Sequence, residues 1–254
     1  MSFFIAITGK GGVGKTTISG LIVKQLIANG CNPVLAIDAD PNSCLDAALG
    51  VTITKKIGTA REEAREVASK GMSAGISKQQ LLEMKIEESL VEAKDFDMIS
   101  MGRPEGEGCY CYANNVLKSI IGQISASYNY IVLDNEAGLE NLSRRIVQKV
   151  DVLVMVADPS SQGLKTIQRL HNLANEMNVK YDKLVIIINR IRANKAMPEF
   201  SAELKKMTNA DIVLGLQQDE QLALNSENGI ALHLLPDDNQ VVVGIDKLIT
   251  QLLN

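Results

Sequence analysis

The residues best equipped for chemistry stand near the start of the chain, in 9-GKGGVGKTT-17, which satisfies the spacing GxxxxGK[ST]. Gly9, Gly11, Gly12 and Gly14, with Val13 between them, allow the tight turns that aim successive peptide N–H groups at a phosphate. Lys15 can reach terminal phosphates, and the Thr16 hydroxyl is a hard oxygen ligand suited to Mg2+. Thr16 and Thr17 open a helix whose N-terminal dipole favours the same anion. Two acids one residue apart, Asp38 and Asp40 in 36-AIDADPNS-43, follow a strand-like run; they can organise Mg2+ and a hydrolytic water, or serve as turn formers. Asp134 closes 130-YIVLD-134, where a strand-end cap is the competing role. A different chemistry is offered by Cys109 and Cys111, two soft thiolates in the polar loop 101-MGRPEGEGCYCYANN-115. One such pair half-fills a tetrahedral metal site, so closing the site takes two copies of the chain; a redox thiol pair and an incidental surface pair are the other readings. Cys31 and Cys44 lie in apolar contexts and read as packing thiols, and His171 and His233 as ordinary histidines in leucine-containing segments.

These groups need a scaffold, and the pattern around them is that of a parallel sheet. Strands are expected at 3–8, 34–38, 95–101, 130–134, 151–157, 183–189 and 211–216. Helices are expected at 15–29, 112–127, 139–149, 162–177, 198–207, 219–226 and from 240. Runs such as 151-DVLVMVA-157 and 183-KLVIIIN-189 are apolar on both faces, which requires helices above and below. The fold class is α/β: a doubly wound, mostly parallel sheet flanked by helices, of the phosphate-loop NTPase kind. Residues 1–254 form one domain, with a charged helical insertion at about 51–94 and the cysteine loop at about 101–115.

The core must be aliphatic, because 46% of residues are hydrophobic while aromatics are 4% and Trp is absent. Lys plus Arg is 26 against 30 Asp plus Glu, a net charge of -4 without the positive field of a phosphate-backbone binder, so no nucleic-acid partner is expected. The apolar runs fall well short of the roughly 20 residues of a membrane helix. No membrane insertion and a cytoplasmic location are expected.

With Lys10 included, the loop resembles the signature of the deviant Walker A ATPases, the group of MinD, the nitrogenase iron protein and the arsenical-pump ATPases. The resemblance implies that Lys10, otherwise a surface lysine, reaches phosphates bound by an opposing subunit, and hence a homodimer sandwiching two ATP molecules. Lys10, Lys15 and Asp40 become the catalytic set, Asp38 the magnesium-side acid, and Asp134 the Walker B acid, with Gly138 answering to the γ-phosphate. In 187-IINR-190, Asn189 matches the residue that bonds adenine, and Arg190 belongs to the same cofactor-binding stretch. ATP/ADP is favoured over GTP because 189-NRIR-192 lacks the Asp of a guanine-reading NKxD. The glutamines of 213-VLGLQQDE-220 depart from the proline-containing loop of many relatives.

The stretch 101–115, joined to the phosphate loop and 134-DNEAG-138, resembles the nickel-insertion ATPases CooC and AcsF. That implies an ATP-dependent nickel chaperone. Cys109 and Cys111 would hold Ni2+ across the dimer, with Zn2+ competing, for a client carbon monoxide dehydrogenase or acetyl-CoA synthase. Two alternatives share every nucleotide residue: a ParA/MinD-like switch acting on a protein, membrane or DNA surface, and a dimeric iron–sulfur electron donor.

Overall fold

The computed structural model describes residues 2–41, 44–70, 77–102, 122, 125–139, 149–192 and 198–254. Its strands are β1 Phe3–Gly9, β2 Val34–Asp38, β3 Val91–Glu92, β4 Asp97–Ser100, β5 Tyr130–Asp134, β6 Val150–Ala157, β7 Tyr181–Ile191 and β8 Ile212–Gln217. The helices are α1 Lys15–Ala28, α2 Leu45–Leu49, α3 Ile57–Lys70, α4 Lys78–Glu87, α5 Ser161–Glu176, α6 Pro198–Thr208, α7 Glu220–Glu227 and α8 Gln240–Leu253. The strands form one sheet in the order β3-β4-β2-β5-β1-β6-β7-β8, parallel throughout except for β3.

Strand alternation divides the core. Ile5 and Ile7 face α1 and α8, while Phe4 and Ala6 face the opposite layer, where Ile167 of α5 and Ile57 of α3 pack. Helix α1 carries no narrow apolar stripe because it is buried along most of its length, Lys15, Ser19 and Gln25 included. Helix α8 does carry a stripe, and Val241, Val242, Ile245, Leu248, Ile249 and Leu252 place it in the core. That packing accounts for the amphipathic end of the chain. Among the described residues no helix is long and apolar enough to cross a membrane.

The charged stretch 51–94 folds as α3 and α4 packed side by side. Lys55 bridges Glu63 and Glu88 at 2.5 and 2.7 Å, and Lys85 joins Glu88 at 2.9 Å, while Ile57 and Ile86 anchor the pair in the core. Two elements had no sequence signal: the antiparallel edge strand β3, only two residues long, and α2, whose apolar residues resembled any buried stretch. The helix expected at 139–149 falls outside the described residues beyond Leu139 and Lys149. That at 112–127 does so apart from Gly122 and a 3-10 turn at Ser125–Ser127.

Register decides what the sheet presents. Ile7 pairs with Asp134, and Asp134 in turn with Asp38, so β1, β2 and β5 end together and their following loops meet at one edge. Ile7 is fully buried within that register. Ile7→Ala is expected to lower stability by about 3 kcal/mol, seen as a lower urea midpoint at unchanged slope.

Candidate nucleotide site

The loop after β1 closes over a cavity of about 740 Å3, lined by Gly11, Gly12, Gly14, Lys15, Thr16, Asp40, Pro41, Glu136, Ala137 and Arg190. Its backbone is held closely on both sides. A Cβ on Gly9 would come within 2.3 Å of the Val156 carbonyl oxygen, and Gly14 has φ 95°, where a Cβ would meet Asn189 Nδ2 at 2.6 Å. Glycine is therefore required at Gly9 by close approach and at Gly14 by both space and φ. The Gly138 N–H donates to the Gly9 carbonyl at 3.2 Å, and the Thr8 hydroxyl donates to the Gly138 carbonyl, so the segment after β5 is tied to the phosphate loop.

The motif's two lysines part company. Lys15 is buried, its ammonium 3.4 Å from the Lys10 carbonyl oxygen, whereas the Lys10 side chain is exposed. Asp134 lies beneath the loop. Its carboxylate accepts the Ser19 hydroxyl at 3.0 Å and is also bonded by the Thr16 side chain. Asp40 lines the cavity, but Asp38 does not: fully buried, it accepts the backbone N–H groups of Asp40 and Leu45, each at 3.0 Å. Asp38 thus shapes the turn that carries Asp40.

Burial pushes Asp38 up to about 7, offset in part by its backbone hydrogen bonds and reinforced by the charge of Asp134. Burial likewise raises Asp134 to about 6, against the bonds from Thr16 and Ser19 and the charge of Lys15. Hard oxygens at Thr16 and Asp40, backed by two acids that burial leaves short of positive charge, fit a magnesium ion.

A second cavity of about 360 Å3 adjoins the first and is lined by Thr17, Asn189, Arg190, Gln217, Gln218, Asp219, Leu222, Ala223, Ser226 and Glu227. Its amide and carboxylate edges suit a purine and ribose better than more phosphate. Ser19 and Glu136 escaped the sequence reading, and the two glutamines were noted there without a role. Ser19 and Glu136 lay within or beside quoted motifs, and only packing reveals which way they face.

A protein-family model described as an AAA domain matches residues 3–187. The chain is 39% identical to an uncharacterized ATP-binding protein of Methanocaldococcus jannaschii, over 98% of each. It is 34% identical to the carbon monoxide dehydrogenase accessory protein CooC of Rhodospirillum rubrum, over 69% of this chain and 70% of that one. Among solved structures, a ParA family ATPase of Chlorobium tepidum superposes with TM-score 0.73 at 20% identity, covering 98% of this chain and 99% of that one. The MinD cell division protein of Aquifex aeolicus gives 0.71 at 22%, covering 99% and 97%. The chain belongs to the AAA-domain family, and it shares the fold of the MinD and ParA ATPases. ATP binding and hydrolysis follow from the phosphate loop and this fold.

Two expectations for the ATPase are corrected. Nickel or zinc handling and carbon monoxide dehydrogenase maturation are withdrawn in favour of the coarser reading, a P-loop ATPase, and the CooC likeness is one match among several to other ATPases. The CooC match spans about two thirds of the chain, while the solved structures that match it end to end include MinD and ParA ATPases. Cys109 and Cys111, to which that role was assigned, lie outside the described residues. The physical weakness of the inference was the motif: two thiols supply half a tetrahedral site and little selectivity.

The exclusion of nucleic acid is corrected as well. A plasmid partition protein of Borrelia burgdorferi bound to AMPPNP shares the fold at TM-score 0.67 and 19% identity, covering 99% of each chain. A net charge of -4 averages over the whole surface and says nothing of a local basic patch.

The raised acids set a pH dependence. Both take up protons at higher pH when folded than their ordinary 3.8 when unfolded, so between about pH 4 and 7 the folded chain binds more protons. Without magnesium or nucleotide, stability therefore rises as pH falls through that window and is lowest above it. Thermal melts in EDTA should show a higher melting temperature at pH 5.5 than at pH 8, and Asp134→Asn should flatten that slope.

Proposed function

We propose that this ATPase is an ATP-dependent dimerisation switch whose dimer engages a partner surface of protein, membrane or DNA. The division of labour between the two loop lysines carries the reading: Lys15 is turned inward beneath the phosphate position, while Lys10 is left exposed beside Gly11 and Gly12 of the cavity wall. A cation in that place serves a neighbouring molecule's nucleotide better than its own.

In this reading Gly9 to Thr17 receive the β- and γ-phosphates, with Lys15 offsetting their charge. The hard-oxygen donors facing the cavity, Thr16 and Asp40, take the magnesium side. Asp134 orients the Thr16 hydroxyl, and Asp38 holds the turn that presents Asp40. Bound magnesium supplies neutralisation of charge on the transferring phosphoryl oxygens. Asp40 positions the attacking water. Lys10 of each copy reaches the phosphates of the other, so when water cleaves the γ-phosphate from ADP and the inorganic phosphate departs, the charge that joins the copies is lost and the dimer opens. Base and ribose occupy the cavity bordered by Gln217, Gln218 and Asp219.

Light scattering tests the cycle. The 27.5 kDa chain should double in mass with Mg2+ and a nonhydrolysable ATP analogue and return to monomer with ADP. Lys15→Ala should lose nucleotide binding. Lys10→Ala should keep it while losing both dimer and hydrolysis. Duplex DNA and anionic vesicles, each offered to the analogue-locked dimer, separate the partner surfaces. A chain that stays monomeric with the analogue and hydrolyses ATP at a specific rate independent of its own concentration sinks the proposal.

A further inference from the structure

We infer that Asn189 and Arg190 are positioning residues that clamp the phosphate loop from outside and preform its phosphate-binding peptide groups, whatever base the nucleotide carries. This deepens the ATP-site reading above and rests on it. Asn189, only 6% exposed, donates from Nδ2 to the Val13 carbonyl at 2.9 Å, and its Oδ1 accepts the backbone N–H of Arg190 at 3.0 Å. Arg190 Nη1 donates to the Gly12 carbonyl at 3.0 Å. Consecutive carbonyls of the loop are thus held by consecutive residues of one strand end.

A regular strand could not do this, because its successive side chains point to opposite faces. Here the alternation is broken. Arg190 has φ 60°, in the left-handed region, and the register of β7 with β8 shifts between Ile188 and Ile191. Such irregularities re-aim side chains at functional sites, and a left-handed residue bearing a Cβ persists only where its surroundings hold it. The kink brings two neighbouring side chains onto the same loop.

The consequence follows from peptide geometry. In a planar trans peptide the N–H points opposite to the C=O. Fixing the Gly12 carbonyl fixes the direction of the Val13 N–H, and fixing the Val13 carbonyl fixes that of Gly14. Both N–H groups are then aimed away from the clamp, in a loop whose Gly12 and Gly14 line the phosphate cavity. Packing leaves no slack, since even a methyl at Gly14 would meet Asn189 Nδ2 at 2.6 Å. Arg190 borders both cavities, so the clamp stands where the base and phosphate positions join.

A ligand without a base separates this role from base reading. Affinities for ATP, inosine triphosphate and inorganic tripolyphosphate, each with Mg2+, are measured by calorimetry on the full chain and on Asn189→Ala, Arg190→Gly and Arg190→Lys. Asn189→Ala and Arg190→Gly should weaken all three ligands by a similar factor, about 10-fold. Arg190→Lys, which keeps a donor, should recover part of the loss. Arg190→Gly should melt no lower than wild type, because glycine accepts the left-handed backbone and the side chain is exposed. That variant decides the matter if Asn189→Ala does not fold.

Weakened ATP binding with unchanged tripolyphosphate binding would make the pair base readers and overturn the clamp. A wild-type chain that binds ATP but not tripolyphosphate also overturns it, since a preformed loop holds phosphates unaided. A wild-type chain that binds none of the three overturns the nucleotide-site reading and the clamp together.

Discussion

A loop built of glycines has no side chains with which to hold itself, and a phosphate site made of peptide N–H groups works only if something else fixes their directions. In this protein the holding comes from three sides. The segment after β5 is tied in through Gly138 and Thr8, the β6 backbone presses on Gly9 at Val156, and the end of β7 grips the carbonyls of Gly12 and Val13. Each support sits at the carboxyl edge of a different parallel strand, so the loop's shape is a property of the whole sheet. Loss of register in any one strand would disturb it.

The same edge gathers negative charge. Parallel pairing in register puts Asp38 and Asp134 side by side on adjacent strands, where burial raises both pKa values and makes ionising both costly. The fold tolerates that cost because Thr16, Ser19 and two backbone N–H groups share the load. The buried acids and the loop they underlie therefore form one electrostatic unit.

Much of this was legible beforehand. The strand limits at Val34–Asp38 and Tyr130–Asp134 follow from short apolar runs closed by an acid, and the phosphate loop is readable because motif, preceding strand and following helix agree. The site was less legible. Asp38 and Asp40 look alike in sequence, yet one is fully buried against backbone N–H groups and the other lines the cavity, a difference set by how one turn folds. Asn189 looked like a base contact, while its amide is engaged with the loop and with Arg190. The two-residue β3 carried no periodicity to read. A pair of cysteines invited a metal because thiols have obvious chemistry, although two ligands without geometry carry little information.

The residue order by itself determined the class of fold, the presence of a phosphate loop and the supply of acids near it, since these depend on local periodicity and on spacings within a few residues. Only the tertiary structure decided which acid faces the cavity, which lysine is buried, and what holds the glycines in place. Those outcomes depend on strands far apart in the chain ending side by side: Asn189 and Val13 are separated by 176 positions yet share a 2.9 Å hydrogen bond. No local pattern encodes such a contact, because it arises from the register of the sheet and from one left-handed residue at its edge.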